Sequence, residues 1–501
     1  MATFHILNFG CRASQADGAA LKQQLLQAGL QEVASPEESS VAVLNTCTVT
    51  ASADAEVRQF VRRIHRQNPQ CRILVTGCYA QRAPDEIARL DGVAWVVGNS
   101  HKHLVSSILG ASNLAKSDDQ ETGNWPGQQE VAFPLLTASR EASSLVQILT
   151  GNTEDERQAT SSRQDDRQQG TPEHPISRSP IVLVGEIAEE FHFAPVFADD
   201  RTRPTLKIQD GCDARCSFCV IPSVRGPSRS LPPDQVVDQI RHLEDAGLNE
   251  VVLSGINLGG YGRDLGRRTN FLAMIESILN ETNIARIRIS SIEPMDVTSA
   301  LIGLVSAEPR MAQHFHIPLQ SGSDRLLRMM NRRYWTRQYA ERILAMREKI
   351  PNAAIGADVM VGFPSETEQD HVASLRFIES LPFTYLHIFP FSARPGTPAS
   401  IAAGQVSRSV ARERSLEIRA VIRAKRQRFL AAQVGQTLPA LTLDQVEGGA
   451  RVALSTNYLQ IALPLTDVPP NRLVDVQVGR VVSGKLLGYV ASPYIESANQ
   501  R

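Results

Sequence analysis

The chain has 501 residues, with 52 Lys plus Arg against 53 Asp plus Glu and a formal net charge of -1, so bulk charge points to no polyanionic partner and any basic surface has to be local. At 42% hydrophobic and 21% charged, the composition is that of a globular protein of about two to four domains, which excludes a short peptide-binding module. No apolar run of about 18 residues occurs, and the opening MATFHILNFGCRAS has no basic stretch followed by an apolar one, which reads as a cytoplasmic chain with neither a membrane span nor a secretory signal.

In chain order, residues 1–110 alternate strand-like runs (3–9, 41–46, 72–76 and 95–98) with helical patterns such as 52–67, the mark of an open parallel α/β domain. From 111 to 200 the pattern dissolves. Within 151–180 the only aliphatic residues are Ala159 and Ile176, so this polar insertion is expected to stay largely disordered, apart from a short helix near 145–149. Six strand-like runs follow at 205–210, 250–257, 286–293, 314–320, 353–363 and 385–391. Amphipathic stretches of helical length lie between them, including 234–246, 271–279, 339–350 and 368–381, which predicts a partial (β/α)6 barrel within residues 201–433. That domain closes with a basic helix over 408–428, where eight Arg or Lys stand against Glu413 and Glu417. Residues 434–501 alternate in the β manner with turn residues between, as a small all-β barrel does.

The seven cysteines carry most of the chemistry. An odd count in a large chain of this kind favours metal or redox roles over a disulfide framework. Cys212, Cys216 and Cys219 stand in C-x3-C-x2-C spacing directly after the first barrel strand, on the side where such barrels place their active sites. Three thiolates on one loop can hold three corners of a [4Fe-4S] cube and leave its fourth iron open. A structural zinc loop is the alternative, but it normally closes with a fourth Cys or His nearby, and none follows Cys219.

Cys11, Cys47 and Cys78 each end or follow a strand of the first domain, so a parallel sheet would bring them to one carboxyl edge, where open α/β sheets bind ligands. They read either as a second three-thiolate site or as three small buried residues. Cys71 precedes the strand that Cys78 follows and would lie at the opposite edge. At the barrel strand ends, Ser254, Asn257, Ser291, Glu293 and Gln320, with Asp358 inside the fifth strand, supply polar groups where a cofactor above the barrel would need them.

The text CDARCSFC after a strand resembles the cluster loop of radical S-adenosylmethionine (SAM) enzymes. With FGCRASQAD, NTCTVT and VTGCYAQ before it, and GPSRS, SSIEP, HFHIPLQSGSDRLLRMMNRRY, VGFPSETEQD and FPFSARPGTPA after it, the chain resembles the radical SAM methylthiotransferases. The closest likeness is to the MtaB type, which acts on N(6)-threonylcarbamoyladenosine in tRNA.

The resemblance implies two [4Fe-4S] clusters, one on Cys212, Cys216 and Cys219 with SAM on its open iron, the other on Cys11, Cys47 and Cys78. It implies radical insertion of sulfur at carbon 2 of the adenine, and methylation by a second SAM. No catalytic residue is assigned beyond the cluster ligands. The implied partners are tRNA and a one-electron donor such as a flavodoxin or ferredoxin, with the chain a monomer, and the tail is expected to be a TRAM-like barrel. Sister enzymes that modify isopentenyladenosine or a ribosomal-protein aspartate are the nearest alternatives, and an iron-sulfur electron carrier is the alternative of a different class. The tail departs from the resemblance. Residues 434–501 hold five basic and five acidic side chains, which makes the helix 408–428 the better candidate for phosphate contact, with a solvated helix face as the alternative reading of that run.

Overall fold

A computed structural model describes residues 2–110, 179–187, 202–266, 269–465 and 468–491. Most of the polar insertion, with its short helix near 145–149, lies outside the described residues. The chain divides into two compact units: residues 1–8, 21–46 and 56–186 form the first, and 9–20, 47–55 and 187–501 the second.

The first unit is built on a parallel sheet of β1 (Thr3–Asn8), β2 (Gln31–Glu32), β3 (Val41–Thr46), β4 (Arg72–Gly77), β5 (Val93–Val97) and β6 (Ile181–Leu183) in the order β2-β1-β3-β4-β5-β6. The central strand β3, VAVLNT, is buried at all six positions, as expected of a strand covered on both faces. Phe4, Leu21, Leu25, Val43, Leu74 and Trp95 share the core beside it. Strand β6 falls inside the segment read as an insertion. It is only three residues long and pairs with β5, too short for periodicity to announce it.

The second unit holds β7 (Thr205–Lys207), the short pair β8 (Gln209–Asp210) and β9 (Arg229–Ser230), then β10 (Glu250–Ser254), β11 (Arg286–Ile289), β12 (His314–His316), β13 (Ala354–Val361) and β14 (Tyr385–Pro390). Six of these form the partial barrel as two parallel three-stranded sheets, β7-β10-β11 and β12-β13-β14. Single parallel bridges, Ile287 to Met311 and Ser291 to His316, join the halves. Helices Pro233–Asp245, Phe271–Glu281, Ser299–Ala307, Thr336–Lys349 and Glu368–Ser380 alternate with the strands and bury Val236, Ile240, Ile275, Leu301, Ile343 and Ile378 into one core. Several strands end earlier than their apolar runs because their last residues leave the ladder. Gln320 adopts φ +63°, and the Asn257 amide donates to Gln209 Oε1 at 2.7 Å.

The helix Arg408–Ala431 runs on to a closed barrel of β15 (Thr437–Glu447), β16 (Ala450–Ser455), β17 (Gln460–Pro464), β18 (Leu473–Val482) and β19 (Lys485–Val490), in the order β15-β16-β17-β19-β18. This barrel seals the amino ends of the central strands. Fully buried Arg288 donates to Glu250 Oε1 at 2.8 Å and to the carbonyls of Ser455 and Thr456, both at 3.2 Å. Tyr458, at φ +61°, stacks on His314 with ring centroids 4.2 Å apart and accepts from Arg12 Nη2 at 3.0 Å. No described helix is long and apolar enough to cross a membrane.

Candidate active site

The loop of Cys212, Cys216 and Cys219 leaves β8 through Gly211, at φ +73°. A Cβ on Gly211 would stand 1.8 Å from the Pro227 carbonyl oxygen, so only glycine lets the loop turn here. The Cys212 amide donates to the Gly226 carbonyl at 3.1 Å, and the Cys219 amide to that of Cys216 at 3.1 Å. Ser217 and Asn331 tie the tip down: the Ser217 hydroxyl donates to the Met329 carbonyl at 2.8 Å, and the Asn331 amide to that of Arg215 at 2.6 Å. Arg332 Nη1 donates to Cys216 Sγ at 3.2 Å while Nη2 pairs with Glu293. Burial pushes the Cys219 thiol up to about 12 and raises that of Cys212 as well.

The other three cysteines each follow the carboxyl end of one of three adjacent strands. Cys47 comes directly after β3, Cys78 directly after β4, and Cys11 three residues after β1, with Thr46 in register with Gly77 and Asn8 with Asn45. Gly10, at φ +98°, lies against Cys47 so closely that a Cβ there would be 2.2 Å from the Cys47 Cβ. Cys78 Sγ accepts from Asn99 Nδ2 at 3.5 Å. Cys71 precedes β4 at its amino end, buried, with its sulfur 3.4 Å from Ser39 Oγ, and burial raises its thiol pKa.

Two polar assemblies inside the second unit bring the loops of Cys11 and Cys47 onto the barrel. Asp17, on the helix that begins at Arg12, pairs with Lys207 and with Arg225 Nη2 at 2.9 Å. The same two cations hold Asp210, at 2.6 Å and 2.9 Å. Burial alone would raise the Asp210 carboxyl, but Arg225 and Lys207 outweigh it and hold it down to about 2. On the other side, Arg394 Nη1 reaches Asp54 at 2.6 Å and the Thr48 carbonyl at 3.3 Å, and the Ala51 amide donates to Ser392 Oγ at 2.9 Å.

Between these anchors lies a cavity of about 250 Å³, whose lining includes Val49, Thr50, Cys219, Gln320, Asp358 and Arg394, with Met360, Phe389 and Phe391 as its apolar side. Burial pushes the Asp358 carboxyl up, but hydrogen bonds from His316 and His387 more than offset this and hold it well below the usual carboxylate range. His316 Nε2 lies 3.1 Å from Asp358 Oδ1 and His387 Nδ1 3.4 Å from it. Of the six polar residues expected from the sequence, Gln320 and Asp358 line the cavity. Glu293 is committed to Arg332, Ser254 is buried at the end of β10, and neither Ser254 nor Ser291 is part of the lining. Asn257 Oδ1, Ser290 Oγ and Gln320 Oε1 are buried with no hydrogen-bond partner among the described residues, an arrangement that fits a polar ligand which would complete them.

Sequence reasoning did not single out Arg332, Arg394, His316 and His387, whose roles depend on long-range contacts. Arg332 and His316 stand inside HFHIPLQSGSDRLLRMMNRRY and Arg394 inside FPFSARPGTPA, which is their only signal, and His387 has none.

Residues 3–98 match the description "Uncharacterized protein family UPF0004", and residues 206–378 match the radical SAM superfamily. The chain is 33% identical over 455 residues to a threonylcarbamoyladenosine tRNA methylthiotransferase MtaB of Aquifex aeolicus, covering 90% of this chain and 94% of the relative. It is 31% identical over 483 residues to the MtaB of Bacillus subtilis, covering 95% and 94%. The chain belongs to the MtaB-type radical SAM methylthiotransferases. A tRNA-2-methylthio-N(6)-dimethylallyladenosine synthase of Pelotomaculum thermopropionicum is also similar, at 28% identity over 459 residues, covering 90% of this chain and 88% of the relative. As a member of this family the chain works with SAM and two [4Fe-4S] clusters, and the groups just described are of the right chemistry for them: two sets of three thiols, and a cavity lined by Gln320, whose Oε1 is unpaired, and by Asp358.

Proposed function

We propose that this protein adds a methylthio group to carbon 2 of N(6)-threonylcarbamoyladenosine beside the tRNA anticodon. One observation carries the reading: the cavity that takes Cys219 from one cysteine loop also takes Val49 and Thr50 from the loop that begins at Cys47. A radical source and a sulfur source have to meet at one substrate atom, and this cavity is where the two loops converge.

Cys212, Cys216 and Cys219 would hold the SAM-binding cluster, and Cys11, Cys47 and Cys78 the second. When bound, these groups supply the radical, the sulfur and the methyl group. The chain's own part is to bind, orient and exclude water. Arg332 places a fixed positive charge 3.2 Å from Cys216 Sγ. Gln320, Asp358 and Asn257 offer donors and acceptors to SAM, with Ser254, Ser291 and Glu293 behind them at the strand ends. Phe389, Phe391 and Met360 form a dry wall, which protects a reactive intermediate from solvent. In domain terms, residues 1–110 would carry the second cluster, 201–433 the radical chemistry and 434–501 a TRAM-like barrel. The enzyme would act in the cytoplasm as a monomer, reduced by a flavodoxin or ferredoxin.

The test is mass spectrometry of nucleosides after anaerobic incubation of reconstituted, reduced protein with SAM and tRNA carrying threonylcarbamoyladenosine or isopentenyladenosine. Methylthiolation of the first alone is expected. Modification of isopentenyladenosine alone would move the enzyme to the sister activity, and 5′-deoxyadenosine without any methylthio product would refute transfer to tRNA.

A further inference from the structure

The helix Arg408–Ala431 sorts its basic residues by face. Arg414 is buried and spent on Glu366, 2.9 Å away. Lys425 donates to the carbonyls of Glu379 and Leu381, both at 2.7 Å, and Arg428 belongs to the last turn. The remaining five, Arg408, Arg412, Arg419, Arg423 and Arg426, are all exposed. At 3.6 residues per turn they fall within about 60° of arc, in a stripe about 27 Å long at 1.5 Å per residue.

The helix's two acids lie elsewhere. Glu413 and Glu417 project about 80° or more from the stripe, and Glu417 is paired with His371 at 2.7 Å. Arg419 makes one contact, from Nη2 to the Ile388 carbonyl at 2.9 Å. The other four have no hydrogen bond or ion pair among the described residues. A merely solvated helix face usually mixes signs, because like charges four residues apart destabilise a helix. Here Arg408 with Arg412, and Arg419 with Arg423, repel without any compensating acid.

Two basic side chains of the C-terminal barrel are spent within it, while Arg480 is exposed. Lys485 pairs with Glu447 at 2.6 Å, and Arg451 donates to the Leu443 carbonyl at 2.9 Å.

We infer that this stripe is the principal phosphate-binding surface of the enzyme, laid along the sugar-phosphate backbone of the tRNA, with the C-terminal barrel contributing little charge. Guanidinium groups match phosphate oxygens bidentately. Successive arginines three to seven residues apart along a straight rod present a row of such forks to a regularly charged strand, and neutralising that strand releases counterions. The inference rests on the reading of tRNA as substrate.

The experiment is a fluorescence anisotropy titration of labelled tRNA bearing threonylcarbamoyladenosine with the full-length, cluster-reconstituted protein, repeated across salt concentrations. The variant replaces Arg408, Arg412, Arg423 and Arg426 by Gln, a good helix former, and leaves Arg419 in place. Expected are binding at least about tenfold weaker near 0.15 M salt and a log K against log salt plot flattened by about 3 in slope, with SAM cleavage to 5′-deoxyadenosine unchanged. Replacing Arg480 and Lys485 in the barrel by Gln should move both quantities far less. Unchanged affinity and slope in the fourfold variant, with wild type binding normally, would overturn the stripe and leave the tRNA reading intact. Failure of wild type to bind tRNA would overturn both. So would binding of phosphatidylserine vesicles, in place of tRNA, that is lost in the variant.

Discussion

The two cysteine triads, each proposed above to hold a cluster, are built in opposite ways. Cys212, Cys216 and Cys219 lie within eight consecutive residues, on a loop whose geometry is fixed by its own backbone bonds and by Gly211. Cys11, Cys47 and Cys78 follow three different strands, so the proposed site on them would depend on a parallel sheet forming in the right register. A local site can be read from spacing and tolerates change elsewhere. A distributed site is only as good as the sheet and loops that assemble it, and each of its members has an independent way to fail.

That contrast can be broken most severely by removing each triad whole. With Cys212, Cys216 and Cys219 replaced by Ala, iron should fall from about eight to about four per chain, and both 5′-deoxyadenosine and methylthio product should drop to background. The corresponding replacement of Cys11, Cys47 and Cys78 should cost the same iron, yet leave 5′-deoxyadenosine formation while abolishing methylthiolation. Iron analysis and product chromatography check both, and equal loss of SAM cleavage in the two variants would erase the division of labour.

Gly10→Ala probes the fragility of the distributed triad alone. The new Cβ would overlap that of Cys47 in a left-handed backbone that costs roughly 1 to 3 kcal/mol. Iron should fall toward four per chain with the local cluster intact, and a full complement of eight would show that the Cys47 loop yields easily.

Asp210→Asn, by contrast, strikes what the triads share, since Asp210 and Asp17 hold the same Lys207 and Arg225. Leaving buried cations short of a partner should cost about 3 to 5 kcal/mol at neutral pH. The Asp210 carboxyl titrates lower in the folded chain than in the unfolded one, so its stabilisation is complete above the unfolded value of 3.8 and is lost as pH falls through about 2. Urea unfolding at pH 7 and pH 3 should therefore show a gap between wild type and variant that narrows in acid. A gap independent of pH would mean that the charge of Asp210 is not what stabilises.

The smallest effect is expected for Cys71→Ser, at the far end of β4. Full iron content and a stability loss of roughly 1 kcal/mol from a buried hydroxyl are the expected results of iron analysis and thermal unfolding.

What could be read in advance follows the same division. The C-x3-C-x2-C loop, the alternation of strands and helices, and the closed terminal barrel are local patterns, and all three are present. Strand lengths were overestimated at 250–257 and 314–320 because burial continues past the point where the ladder ends, and Gln320 turns on a positive φ that no periodicity encodes. The three-residue β6 carried no signal. Among the polar residues at the strand ends, composition could suggest a cradle but not which members face the cavity. Glu293 pairs with Arg332, whose partners stand 39 and 116 residues away in sequence. Contacts at such separations are written in the fold, not in any window of text.

Tyr458 bears on how freely this protein's parts could be exchanged. Its ring covers His314, its hydroxyl accepts a hydrogen bond from Arg12, and the carbonyls just before it accept from Arg288. The terminal barrel is therefore the floor of the central one rather than an appendage. A chain ending at residue 433 would lose two of the acceptors of a fully buried guanidinium, and a tail transplanted from a distant relative would have to bring a matching aromatic and two matching carbonyls. Evolution of this enzyme's terminal barrel is in that sense tethered to the inside of its radical barrel.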